Sequence, residues 1–124
     1  MKNKIAHAFL ILGCLVLFAC AAIHYFGAYP HLVPRLAASN LAPPLSAALR
    51  SIFLMVASDW IVFAIIALLA GFSASRMRKP IVFLCGVAAL VSAGVAYYFV
   101  SWFIGDELLG AAGLLLACAA FLFD

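Results

Sequence analysis

The chain has 124 residues, of which 70% are hydrophobic and 9% charged, whereas a soluble domain is about half apolar and about a quarter charged; no water-facing surface can be assembled from it. Its net charge of +3 comes from short basic clusters beside apolar runs, a pattern that reports membrane orientation and excludes a nucleic-acid partner. The length allows one membrane domain, residues 1–124, with room for about four segments of the roughly 20 residues that cross a bilayer.

The first apolar run, about 5–26, follows Lys2 and Lys4 and carries one strongly polar side chain, His24, near its far end. A basic start, an apolar core and Leu17-Phe18-Ala19-Cys20 have the outline of a lipoprotein signal, but Phe18 fits such a box poorly and apolar residues continue past Cys20. A retained helix is therefore expected rather than a processed signal. Between residues 27 and 46, Pro30, Pro34, Pro43 and Pro44 with the Ser39-Asn40 pair predict the one sizeable loop, in which 34–38 could form an amphipathic turn. The second run, about 47–72, places Arg50 near its beginning and Asp59 near its middle, and Pro44 suits a helix start because its missing N–H is harmless there.

A basic turn, Ser73 to Lys79, leads to Pro80 and the third run, about 80–103; so tight a connection joins antiparallel neighbours. Gly105-Asp106-Glu107 makes the next turn and sets two acids at the positive end of the last helix, about 108–123. The fold class expected is all-α, an antiparallel bundle of four transmembrane helices. Lys2, Lys4, Arg76, Arg78 and Lys79 fall at one end and Arg35 and Arg50 at the other, which predicts both termini in the cytoplasm of a bacterial inner membrane. Tyr25, Tyr29, Tyr97, Tyr98 and Trp102 gather toward the opposite, outer interface.

Lipid tails give apolar helices no hydrophobic reason to associate, so packing falls to small residues. Gly86, Ala89, Ala93 and Ala96 in the third run, and Gly110, Gly113, Ala117 and Ala120 in the fourth, form two such stripes. They suit close packing within the bundle, or a homodimer seam.

Among residues that can carry chemistry, Asp59 stands out. An aspartate at the centre of a spanning helix costs about 2.5 to 3.5 kcal/mol on insertion scales and is expected to face protein or water. Arg50 cannot pair with it, because nine residues at 100° each put the two on opposite faces about 13 Å apart. Ser92, at similar depth on the third run, and Ser58 are the partners expected, with Asp59 either a hydrogen-bonding strut or a proton-exchange site. A second candidate is an outer-side polar pocket of His24, Arg50, Tyr97 and Trp102, suited to an anionic head group, a quinone or a substrate; the same residues also fit an interfacial aromatic belt with snorkelling cations.

Other chemistry is not indicated. Cys14, Cys20, Cys85 and Cys118 lie inside apolar runs without a CxxC pair and are expected to be buried free thiols. His7 and His31 are too far apart in depth from His24 to share a haem, no HExxH occurs, and there is no phosphate loop or GxSxG elbow. No cofactor or metal is expected. Small multidrug transporters are similar in size and helix count, but the embedded Glu of their first helix has no counterpart here. Small fluoride channels are similar in length, but their Gly- and Arg-containing first-helix motif is absent.

The sequence thus leads to an accessory or structural membrane subunit that binds lipid and either a membrane-protein partner or a second copy. The alternatives are a small proton-coupled transporter using Asp59, and a membrane enzyme or quinone-site anchor using His24 and Arg50.

Overall fold

The computed structural model describes residues 2–100 and 104–124. Its helices are α1 (Lys2–Ala22), a π-helical stretch (Ile23–Ala28), α2 (Tyr29–Ala37), α3 (Pro43–Phe72), α4 (Arg78–Val100) and α5 (Ile104–Leu122). Because α1, the π stretch and α2 run on without a break, they make one rod, Lys2–Ala37, so the described residues form four rods, each long and apolar enough to cross a membrane.

The expected loop over 27–46 is the principal correction, since helix continues to Ala37 and only the segment 38–42 connects it to α3. An α-helix would leave Pro30 crowding the carbonyl four residues back and unable to donate to it. The π stretch changes the register just before that point: the Tyr29 N–H donates to the His24 carbonyl, five residues back. Pro30 then falls in the first turn of α2, where a missing donor costs nothing. The rod ends where the Ser39 hydroxyl donates to the Leu36 carbonyl at 2.6 Å, a local bond that competes with helix continuation.

The other boundaries shift less. Pro43 and Pro44 both sit in the first turn of α3, so this helix starts four residues before the expected 47. After Phe72, the Ser73 hydroxyl caps the Ala70 carbonyl at 2.8 Å, and the Ser75 hydroxyl accepts the Met77 N–H at 3.1 Å, closing the basic turn. The last helix starts at Ile104, so Asp106 and Glu107 lie within its first turn instead of ahead of it.

Each rod packs on its neighbours in sequence, and α5 closes the ring against α1. The core face of α1 is Ala6, Leu10, Gly13, Cys14, Leu17, Cys20 and Ala21, the three-and-four spacing of one helix face. It meets Ala57, Trp60, Ala64, Ala67 and Gly71 of α3 on one side and Leu109, Ala112, Gly113 and Leu116 of α5 on the other. The α4–α5 contact is closest at two of the expected stripe glycines. A β-carbon on Gly86 would lie 2.8 Å from the Gly113 carbonyl oxygen and 2.9 Å from the Ala117 nitrogen. Gly110, in the same stripe, has open space at its β position, so the stripe is only partly a packing seam.

Both termini lie at one end of the bundle. The Asn3 side-chain amide donates to the Asp124 carboxylate at 3.0 Å, and the Arg78 guanidinium donates to the Asp124 carbonyl at 3.1 Å and lies over the Phe123 ring at 4.4 Å. The His7 ring packs against Phe72 and Phe123 at centroid distances of 5.0 and 5.2 Å. This end therefore gathers Lys2, Lys4, Arg76, Arg78 and Lys79, while Arg35 and Arg50 belong to the far end.

Candidate functional site

The far end is organised by the π stretch. It presents His24 and Tyr25 to α3, where the His24 Nε2 lies 3.0 Å from the Phe53 carbonyl and the imidazole stacks on the Phe53 ring at 3.7 Å. Trp60 meets His24 edge-on at 5.1 Å. Next to it, the Tyr25 hydroxyl lies 2.5 Å from the Ser58 hydroxyl and 3.2 Å from the Leu54 carbonyl, and Ser58 lies 3.0 Å from the same carbonyl, so two hydroxyl protons are shared among three contacts. These bonds occupy the polar groups they involve, and their direct effect is to fasten the π stretch to α3.

The expected outer pocket of His24, Arg50, Tyr97 and Trp102 does not assemble. His24 is turned toward Phe53 and Trp60; Arg50 lines a different cavity; Tyr97 borders a third, on the α4–α5 side, with Asp106 and Glu107; Trp102 lies outside the described residues. The reason is rotational: depth along a helix axis follows from residue number, but the face presented depends on the phase of each helix, and the π stretch shifts that phase by an extra residue in its turn.

Arg50 lies in a cavity of about 430 Å³ between the start of α2 and the first turns of α3, with Tyr29, Pro43, Ser46, Ala47, Ser51 and Leu54 around it. Ser46, Arg50 and Leu54 form one four-residue row on α3, and Pro43, Ala47 and Ser51 the adjacent one. The Arg50 Nε is buried and has no hydrogen-bond partner. A helix expected from residue 47 leaves out Ser46, and a loop expected over 27–46 leaves Tyr29 unplaced; helical spacing carried back to Pro43 shows the Ser46–Arg50 pair, whereas nothing in the sequence marks Ser51.

Asp59 is displaced from its expected setting in another way. The buried face of α3 runs through Ala57, Trp60, Ala64 and Ala67, which turns Asp59 outward in an exposed row with Ile52, Val56, Val62, Ile66 and Leu69. Neither expected partner reaches it. Ser92 donates to the Ala88 carbonyl of its own helix at 3.0 Å, and Ser58 is held by Tyr25 and Leu54. Asp59 has no hydrogen bond or ion pair among the described residues, and it is not among the residues lining the cavities described here.

Two further groups differ from expectation. Asp106, expected to be solvated at a helix start, is 6% exposed with both carboxylate oxygens buried and unpartnered. Of the four free cysteines, Cys14, Cys20 and Cys85 are buried, whereas Cys118 is exposed. Cavities beside His24 are almost wholly apolar: one of about 260 Å³ opens between Leu32, Leu36, Leu49, Ile52, Phe53 and Val56, and a narrow one of about 40 Å³ lies toward Leu108 and Leu109.

No family model matches the chain, and neither a curated protein nor a solved structure is significantly similar to it. Function has to be argued from this geometry alone. Among the described residues no three His, Cys, Asp or Glu side chains converge as a metal would require. Among the described residues the chemically distinctive features are an unpaired carboxyl on the outside of α3, the buried and unpartnered carboxyl of Asp106, and the unpaired guanidinium of Arg50 in a cavity that Tyr29, Ser46 and Ser51 line.

Proposed function

We propose that this protein is a multi-pass accessory subunit of a bacterial inner (cytoplasmic) membrane, with both termini in the cytoplasm, and that it associates with a membrane-protein partner through the outer face of α3. Membrane insertion is supported by the four long apolar rods and by an outer surface that exposes Leu15, Phe26, Leu69, Leu84, Phe99 and Phe121, far more apolar surface than a soluble monomer carries. The orientation is supported by the five basic residues that share the end bearing both termini.

The position of Asp59 carries the functional reading. A carboxyl halfway along a spanning helix normally faces protein or water, yet this one points away from its own bundle into a row of Ile, Val and Leu. An assembly supplies the missing environment: a helix from another protein, carrying a donor or a cation at that depth, satisfies the acid and covers the row. Charge complementarity favours such a helix over a second copy, which would bring an identical acid. A carrier reading would need a water path to Asp59, and the cavities described here do not touch it. An enzyme or quinone site built on His24 and Arg50 would need the two side chains in one pocket, and they line different ones.

The test uses the full chain reconstituted in vesicles with fluorescent leucine-based transmembrane peptides as probes, one with a central lysine and one all leucine. Energy transfer to the lysine peptide is expected to exceed that to the all-leucine peptide and to fall to the same level in Asp59→Leu. Equal transfer to both peptides sinks the proposal, and self-transfer between copies that depends on Asp59 would replace the foreign helix with a second copy.

A further inference from the structure

The Arg50 cavity is independent of the α3 outer face and is not accounted for by partner docking. Arg50 lies seven residues into α3, about 10 Å from its start, at the end of the bundle opposite the termini. Three hydroxyl groups, those of Tyr29, Ser46 and Ser51, line the same concavity, and no carboxylate does. Among the described residues neither the guanidinium nor any of these hydroxyls has a hydrogen-bond partner, and the Nε is already withdrawn from solvent. A half-buried guanidinium is ordinarily matched by a carboxylate or by carbonyls, because its five donors keep a desolvation cost until something accepts them. Here the lining supplies hydroxyl residues, which either donate or accept, and no negative charge to match it.

A guanidinium with no carboxylate beside it, among hydroxyl residues able to donate, defines the missing ligand as an anion with several oxygens. The volume of about 430 Å³ exceeds what a single chloride or water would fill, and the planar fork of Arg suits the paired oxygens of a phosphate. The location adds a second constraint. Pro43, Ala47 and Leu54 make the rest of the wall apolar, which suits the apolar part of a ligand immediately beside its charged head. The start of α3 contributes in the same direction, since the positive end of its dipole lies within two turns of Arg50.

We infer that the Tyr29, Ser46, Arg50 and Ser51 cavity is a phosphate-binding site, with the guanidinium taking two phosphate oxygens and the hydroxyls the others. The chemistry is shared by two sources, the head group of an anionic phospholipid in the outer leaflet and free inorganic phosphate.

Native mass spectrometry of the full chain released from detergent micelles distinguishes them. Phosphatidylglycerol and inorganic phosphate are titrated separately, with phosphatidylcholine as background and circular dichroism confirming helix content. One phosphatidylglycerol is expected to be retained, with affinity falling about tenfold or more in Arg50→Gln, the scale of a lost charge-assisted pair. Arg35→Gln, which removes an exposed base from the same end, is expected to leave binding unchanged. Loss in Arg50→Gln without competition by phosphate assigns the site to the lipid; saturable, Arg50-dependent binding of phosphate itself assigns it to the free ion. Ser46→Ala with Ser51→Ala is the gentler variant, expected to weaken binding several-fold while leaving the charge in place. If Arg35→Gln weakens retention as much as Arg50→Gln, or if the serine pair and Arg50 can both be replaced without effect, the site does not exist.

Discussion

Replacing Gly86 by alanine tests the close approach of α4 and α5 with a single methyl group. The new β-carbon would stand 2.8 Å from the Gly113 carbonyl oxygen, where ordinary contact begins at 3.4 Å. The difference, 3.4 − 2.8 = 0.6 Å, must be made up by separating the helices, because the obstructing atoms are backbone and no side chain can turn aside. Overpacking of this kind costs about 1 to 3 kcal/mol, while exchanging glycine for alanine inside a helix returns roughly 0.5 to 1 kcal/mol. Gly94→Ala in the same helix carries the second effect without the first, since no heavy atom lies within 4 Å of its β position. The expected order of stability is Gly94→Ala, wild type, Gly86→Ala, with about 1 to 3 kcal/mol between the two variants. Reversible unfolding in mixed micelles, titrated with dodecyl sulfate and followed by circular dichroism, measures it. If the variants agree within about 0.5 kcal/mol, the scatter of inconsequential surface changes, the α4–α5 backbone contact is not what holds these helices together.

The same unfolding assay applies to the far end. Tyr25→Phe removes the bonds to Ser58 and Leu54 and is expected to cost about 0.5 to 1.5 kcal/mol, with a Tyr25→Phe/Ser58→Ala cycle giving a coupling near 0.6 kcal/mol, typical of hydrogen bonds between membrane helices; additivity of the two changes would remove this latch from the account. Leu116→Ala empties a fully buried position beside Gly13 and is expected to cost about 2 to 5 kcal/mol. A lipid-soluble maleimide is expected to modify Cys118 well before Cys14, Cys20 or Cys85, following their exposure, and peptide mapping of the adducts checks it. For orientation, in a cysteine-free background, Asn40→Cys should react with an impermeant maleimide added outside spheroplasts while Ser75→Cys should react only after lysis; the reverse pattern would turn the protein over in the membrane.

The number of rods and their extreme apolarity were legible in the sequence because both follow from composition and run length, quantities that no tertiary contact alters. The stops were legible where a polar cluster ends a run, as at Ser73 to Lys79. The prolines were not: Pro30 and Pro34 read as breakers, yet the π register fixed by the Tyr29 to His24 bond sets Pro30 in the first turn of α2, and α2 carries Pro34 in its interior. Nor was the separation of the expected outer pocket legible, since His24 stacks on Phe53 while Arg50 lines another cavity with Tyr29.

By itself, the sequence determined four helices, their antiparallel order and the gathering of positive charge at one end, since short connections and apolar spacing leave little choice. The tertiary structure alone decided the rotation of each helix about its axis. The near-uniform apolarity of α3 gives no amphipathic signal to say which side faces the bundle; the small residues Ala57, Ala64, Ala67 and Gly71 settle it by allowing close approach. Their choice leaves Asp59 on the outside and brings Arg50 together with Tyr29, Ser46 and Ser51.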